Sequence, residues 1–315
     1  MSRPTRDIAV IIAAYNAAEY LDATLASVAG QSVLPSEVIV SDDCSSDDTA
    51  ATARSWSNRL PLTVVSTPAN GGPAAARNVA IRASTSPLLA LLDADDLWFP
   101  DHLETLMGVH QEHGGLVMAD PLTWAPGDGL GPPWTQTKPV PGADQLHLLY
   151  RENFVFSGTV YTRADYDRAG GYREQFRGPE DWDLWIRMVR HGLVVTPAGH
   201  PTVLYRVTSG SLTSTPRMGE DRVKVLDLAR REAHTEAERA AIDVGLRRVR
   251  AERDLFAAYR LADQGRAWAA RAKGLGAVRG HRRVAVRGMA MAVAPRRVAR
   301  RRAEVRSDPR VRLAE

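Results

Sequence analysis

Ser86-Pro87-Leu88-Leu89-Ala90-Leu91-Leu92-Asp93-Ala94-Asp95-Asp96 is an apolar run that ends abruptly in acids. With no polar alternation inside it, the run reads as a short strand buried on both faces. The acids then fall at the carboxyl end of that strand, the edge where open α/β sheets build their sites. Asp93 and Asp95 are two residues apart, so in extended chain they point to the same side and can face one divalent cation. Carboxylate oxygens suit a hard ion, Mg²⁺ or Mn²⁺, carrying a diphosphate. Taken alone, the same letters also describe a strand end followed by a capped helix, with Asp96 or Asp101 as N-cap.

Working outward, the preceding chain alternates strand and helix patterns. Ile8 to Ala13 is a short apolar strand, followed by a helical stretch from Ala17 to about Ala29. Glu37 to Ser41, Leu62 to Val65 and Leu88 to Leu92 are further strands, with helical stretches between them. Alternation of this kind predicts an α/β fold with a mostly parallel sheet covered on both faces. Polar residues gather where each strand ends: Tyr15-Asn16, Asp42-Asp43, Asn70-Gly71-Gly72 and the Asp93 cluster.

Those clusters carry a resemblance. Val10-Ile11-Ile12-Ala13-Ala14-Tyr15-Asn16-Ala17, Val38-Ile39-Val40-Ser41-Asp42-Asp43, Asn70-Gly71-Gly72-Pro73 through Arg77-Asn78, and Asp93-Ala94-Asp95-Asp96 together are similar to the family 2 glycosyltransferases of the GT-A fold. Downstream, Gly178-Pro179-Glu180-Asp181-Trp182 resembles the family's Glu-Asp catalytic segment. Tyr205-Arg206 with Ser209-Gly210-Ser211 resembles its closing strand and loop. The resemblance covers roughly residues 6 to 215. It implies an inverting, metal-dependent transfer of a sugar from a nucleotide-sugar donor, with a UDP-sugar expected first and a dTDP-sugar second.

The resemblance also implies roles for individual residues. Ala13, Tyr15, Asn16, Asp42, Gly72 and Arg77 would contact the nucleotide-sugar, with Asp42 accepting from the base or ribose. Asp93 and Asp95 would hold the metal and diphosphate, and His200 lies near where some GT-A enzymes supply a third metal ligand. Asp181 would be the base, with Glu180 orienting the loop or contacting the acceptor. Inversion needs a group to take the acceptor hydroxyl's proton while charge grows on the departing diphosphate. Each position has a structural reading beside it. Asp47 or Ser46 can cap a helix, Arg77 can pair with a neighbouring acid, and Glu180-Asp181 is a dipole-favoured first turn. Trp182 and Trp185, three apart, fit core or acceptor wall. The glycines of Asn70-Gly71-Gly72 would let backbone approach a ligand, and Pro73 would open the next helix. Neither a Walker loop nor a dinucleotide fingerprint occurs.

Two rivals remain. A nucleotidyltransferase also uses paired acids and a metal, but the Gly-rich basic loop expected after its first strand is replaced by Ala13-Ala14-Tyr15-Asn16. A non-catalytic sugar- or nucleotide-binding scaffold is opposed by the intact Asp93, Asp95, Glu180 and Asp181.

The chain's 315 residues suffice for an α/β core with about 100 left over. The single Cys44 excludes an internal disulfide framework and a multi-cysteine metal site, so a cytoplasmic setting is expected. No secretory leader and no run of membrane-spanning length is read. Pro121 to Pro141, rich in proline and glycine, reads as a long loop shaping an acceptor pocket, and Phe154 to Tyr161 as an alternating strand. The acceptor expected is a glycan, a lipid-linked sugar or a secondary metabolite.

Three segments are therefore expected: a catalytic domain over 1–215, a helical extension over 216–278 and a basic tail over 279–315. Thr235-Glu236-Ala237-Glu238 is a capping-box signature for a helix ending near Asp263 and Gly265. In the tail, Val284, Val286, Met289, Met291 and Val293 alternate with Arg282-Arg283, Arg287 and Arg296-Arg297, and Pro295 is expected to end the helix. Such a segment can rest on anionic lipid as a peripheral membrane contact, or be a solvated extension. Much of the formal net charge of +4 lies there, yet no aromatic platform accompanies it, so nucleic acid is not expected as a partner.

Overall fold

A computed structural model describes residues 3–125, 129–207, 215–278 and 282–307. Ser209-Gly210-Ser211, Pro126-Gly127-Asp128 and Arg279-Gly280 lie outside the described residues. The chain groups into two units: Met1–Trp124 with Gly129–Leu149 and Asn153–Thr208, and Ala125–Asp128 with Tyr150–Glu152 and Ser209–Glu315.

The first unit follows the strand and helix alternation. Its elements are β1 (Thr5–Ala14), α1 (Ala18–Ala29), β2 (Leu34–Asp42), α2 (Thr49–Arg54), β3 (Leu62–Ser66), α3 (Pro73–Ala83) and β4 (Leu88–Asp93). Then come β5 (Leu97–Trp98), α4 (His102–His113), β6 (Leu116–Ala125), β7 (Gly129–Pro133), α5 (Trp134–Thr137) and α6 (Gln145–Arg151). The unit closes with β8 (Thr159–Thr162), α7 (Arg163–Ala169), α8 (Glu180–Arg190) and β9 (Val195–Arg206). The strands form one nine-stranded sheet in the order β3-β2-β1-β4-β8-β6-β9-β5, with β7 added on β6. β3, β2, β1 and β4 are mutually parallel, and β8 joins β4 antiparallel. Central β1 explains the apolar run: Ile8 through Ile12 are fully buried, and burying each large side chain contributes about 1.5–3 kcal/mol.

Two readings of the middle segment change. The stretch from Pro121 is not one long loop: β6 runs through it to Ala125, β7 pairs with β6, and α5 follows. Pro121 is tolerated in a strand because the β6–β9 register shifts between Asp120 and Pro121. Phe154 to Tyr161 forms a strand only from Thr159, and Phe154, Val155 and Phe156 before it are all buried, so the expected alternation is absent.

The second unit is helical: α9 (Pro216–Arg231), α10 (Glu236–Asp263), α11 (Ala267–Val278), α12 (Arg282–Val293) and α13 (Pro295–Ser307). Thr235 and Glu238 form the capping box, each side chain bonding the other's backbone N–H. Gly274 and Gly288 let α11 and α12 touch backbone to backbone, since a Cβ on either would lie 2.9 Å from the other's carbonyl oxygen. Val284 and Met291 enter the core with Ala251, Leu255, Ala258, Ala270 and Ala277. They therefore do not share one exposed face with Val286, Met289 and Val293. Pro295 opens α13, a first-turn position where its missing N–H costs nothing.

Candidate active site

The ends of β1, β2 and β4 stand level, with Ala13 registered against Ser41 on one side and Asp93 on the other. Beyond them the loops are laced together. Asn16, at φ 48°, accepts from the Ser46 N–H at 2.9 Å and donates its own N–H to Ser45 Oγ at 2.9 Å. Buried Asp42 accepts from the Ser45 N–H at 3.2 Å, which fixes its side chain at this rim. Tyr15 projects from the rim, 53% exposed.

The glycine loop has a specific anchor, Asp43, whose role the sequence reading missed. Its buried carboxylate accepts from Thr67 Oγ1 (2.8 Å), the Gly71 N–H (2.9 Å) and the Gly72 N–H (2.7 Å). Gly72 has φ 85°, and a Cβ there would lie 3.1 Å from Arg177 Cγ. The Arg177 side chain thus fills the space where a Gly72 side chain would lie. Arg177 in turn donates to the Asn70 carbonyl oxygen at 2.8 Å and to Asn70 Oδ1 at 3.1 Å.

Arg77, on the second turn of α3, joins the two acidic motifs. Its Nη2 donates to Asp93 Oδ1 at 2.6 Å and its Nη1 to Glu180 Oε1 at 2.6 Å. The guanidinium lies 5.6 Å from the centre of the Tyr172 ring. Burial acts to lower the Arg77 pKa, but the charges of Asp93 and Glu180 hold it well above the arginine range. Arg77, expected at the nucleotide, is placed here as a link between Asp93 and Glu180. Ser157 Oγ donates to the other Asp93 oxygen at 2.8 Å, and the Gly178 N–H donates to Glu180 Oε2 at 2.8 Å.

Asp181, the next residue, is half-buried, and its Oδ1 accepts from the Trp182 N–H at 2.5 Å. Burial and the negative charge of Glu180 push its carboxyl up to about 7. Helix α8 beneath is rigidly seated. Asp183 takes Arg187 at 2.6 Å and Arg173 at 3.1 Å, and Trp182 Nε1 donates to the Leu149 carbonyl at 2.8 Å. Trp182 and Trp185 are core residues, at most 1% exposed, rather than an acceptor wall.

Asp95 stands beside Asp93, and burial together with the charge of Asp93 pushes its carboxyl up to about 6. Asp96 is not a helix cap: its Oδ1 accepts from the Arg206 N–H at 2.9 Å. Arg206 is the other residue whose role sequence reasoning left unassigned. Its Nε donates to the Asp95 carbonyl at 2.8 Å, and its guanidinium lies 4.4 Å from the Trp124 ring centre and 5.1 Å from that of Tyr20.

His200 is not brought to this place. Its Nε2 lies 2.9 Å from Asp101 Oδ2 at the exposed surface, and it sits six residues before Arg206 on β9, about 20 Å at strand rise. Among the described residues no group of three or more His, Cys, Asp or Glu side chains is placed to hold a metal. The donor set of Asp93 and Asp95 nonetheless fits a hard divalent ion. The two carboxylates repel each other, and Mg²⁺-type ions are commonly held by one or two carboxylates with substrate phosphates completing the shell.

Comparison with known proteins decides the family. Residues 9–166, half of the chain, match the pattern described as glycosyl transferase family 2. The chain belongs to that family. The succinoglycan biosynthesis protein ExoU of Rhizobium meliloti is 34% identical over 201 residues, which are 59% of this chain and 58% of that protein. A validoxylamine A glucosyltransferase of Streptomyces hygroscopicus is 29% identical over 60% of this chain and 49% of its own length. The chain thus matches only about half of the length of these two family members. Among solved structures, S. aureus TarS 1-349 in complex with UDP-GlcNAc superposes with a TM-score of 0.63 at 17% identity, covering 92% of each chain. The mannosyltransferase PcManGT of Pyrobaculum calidifontis, in complex with GDP-Man and Mn²⁺, gives 0.59 at 21% identity, covering 96% of this chain and 85% of that one. At these identities the superpositions establish the fold, which is GT-A.

Proposed function

We propose that this family 2 chain transfers a sugar from a nucleotide-sugar to an acceptor hydroxyl with inversion. The observation that carries the proposal is the Asp93–Arg77–Glu180 chain, buried at Arg77 and Glu180 and part-exposed at Asp93, which ties the acids of β4 to the segment that holds Asp181. In this reading the half-buried Asp181 is the base. A carboxyl near 7 is poised to accept a proton at neutral pH, and Glu180 and Arg77 hold it in place. Asp95, assisted by Asp93, would hold Mg²⁺ or Mn²⁺, which when bound would neutralise charge on the departing diphosphate. Asp93 assists only, because its oxygens already accept from Arg77 and Ser157.

Asp42, Tyr15 and Asn16 form the nucleoside side of the pocket, with Ala13 below them. Arg206, braced between two aromatic rings beside Asp95, supplies positive charge toward the diphosphate. UDP-sugars come first as donors, which the UDP-GlcNAc complex of a protein of the same fold supports, and dTDP-sugars second. A glycan hydroxyl is the favoured acceptor, in keeping with a polysaccharide-synthesis relative. A panel of UDP-, dTDP- and GDP-sugars, followed by hydrolysis and transfer assays with and without Mn²⁺, tests the reading. Metal-dependent turnover of one donor is expected, and turnover of none contradicts it. Asp42→Ala is expected to raise the donor's KM more than it lowers kcat.

A further inference from the structure

The helical unit carries a surface that its own packing leaves unmatched. On α11, Ala270 and Ala277 face the core, and on α12 Val284 and Met291 do the same. The opposite faces are apolar as well. Trp268 is 81% and Leu275 55% exposed on α11, two turns apart on one stripe. Val286 (77%), Met289 (50%) and Val293 (65%) form a second stripe on α12. No helix among the described residues is long and apolar enough to cross a membrane, so these faces are not parts of a span.

Charge accompanies them. A cavity of about 810 Å³ lies where Trp268 and Val293 meet, and its charged lining is Arg266, Arg271, Arg296 and Arg297, with no acid. Arg271 donates to the Val293 carbonyl at 3.2 Å and stands 5.1 Å from the Trp268 ring centre, while its Nε is buried without a hydrogen-bond partner. Among the described residues, Arg266, Arg296 and Arg297 enter no ion pair. A second cleft in the same unit, about 890 Å³, provides a contrast. It too is rich in basic residues, but it neutralises itself through Arg222–Glu252 at 2.9 Å and Lys273–Asp254 at 3.3 Å. Only the first surface combines unpaired arginines with an exposed tryptophan and aliphatic stripes. That is the chemistry of an anionic bilayer surface, where acyl chains meet phosphate headgroups.

We propose that the α11–α12 face, centred on Trp268 and ringed by Arg266, Arg271, Arg296 and Arg297, docks the helical unit on anionic phospholipid. The inference stands apart from the proposed transfer reaction and can fail without it. It is tested by flotation of the full chain with phosphatidylcholine vesicles, with and without phosphatidylglycerol, at moderate salt. Binding to the anionic vesicles alone is expected. The triple variant Arg266→Gln, Arg296→Gln, Arg297→Gln removes exposed, unpaired charges and leaves the fold unchanged. It should weaken partition on the order of a hundredfold, at about fivefold per arginine. Trp268→Ser should weaken it about tenfold. A charge-matched control, Arg6→Gln, Arg54→Gln, Arg59→Gln on the other unit, should bind as the parent does. Inorganic phosphate, compared with chloride at equal ionic strength, should not displace the vesicles. Binding to neither vesicle or to both alike, undiminished binding by the triple variant, equal loss in the control, or displacement by phosphate would each overturn the proposal.

Discussion

The sheet unit and the helical unit handle charge in opposite ways. In the sheet unit the ion pairs that organise the site are interior: Arg77, Glu180, Asp183 and Arg187 all have side chains no more than 7% exposed. In the helical unit, pairs such as Arg250–Asp227 and Arg239–Glu236 lie at the surface, with both partners more than a third exposed. Buried ions lose hydration and hold their place only with good geometry, so a network of them fixes position more than it adds stability. Surface pairs between long side chains contribute little of either. The contrast points to the Asp93–Arg77–Glu180 chain as a positioning device for the neighbouring Asp95 and Asp181.

The largest effect that could break this comparison is Arg77→Ala. It strands the buried Glu180 carboxylate and takes the partner from the part-exposed Asp93, and removing one partner of a buried pair costs about 3–5 kcal/mol. Denaturant unfolding should register that loss, while Arg250→Ala in the helical unit should change stability by less than about 1 kcal/mol. Equal effects would erase the distinction. A smaller loss comes from the capping box: Thr235→Ala should destabilise the helical unit by about 1 kcal/mol, seen as a lowered Tm. Acid pH sharpens the comparison from the side of chemistry. The Asp181 carboxyl sits near 7, raised from its ordinary value, so its ionised, proton-accepting form is lost as pH falls through that value. Transfer measured as kcat/KM should rise about tenfold per pH unit up to roughly 7 and level off above it. A flat profile from weakly acidic to weakly basic pH would contradict the assignment of Asp181.

Legibility followed the same division. β1 to β4 were readable because parallel strands buried on both faces are written as uninterrupted apolar runs, and the acids after them marked the site edge. What the runs could not convey was partnership between distant segments. Arg77 read as a ligand-facing arginine, because nothing local says that Glu180, 103 residues later, closes on it. Asp43 was hidden beside Asp42 for the same reason, although the paired glycines were a signal that their N–H groups needed an acceptor. Arg206 reads in the sequence only as part of a closing strand, and the fold of β9 brings it to Asp95. His200 lies beside Asp101 and apart from the Asp93 and Asp95 pair, because strand rise along β9 carries it away from Arg206. In the helical unit the capping box at Thr235 was legible from four letters. The tail's apolar residues were not resolved into faces, because Gly274 and Gly288 set the helix contact that decides which of them turn inward.

The central claim is that Asp181, held by Glu180 and Arg77, takes the acceptor proton in a single inverting displacement. Asp181→Asn keeps the side chain's size and removes the proton acceptor, so it tests that claim most directly, with product configuration read by NMR for the parent. The account predicts a parent product of inverted anomeric configuration. It also predicts transfer by the variant lowered at least about a hundredfold, with nucleotide affinity by calorimetry nearly unchanged. Near-parental transfer by Asp181→Asn, or a parent product that retains the donor's configuration, would contradict it.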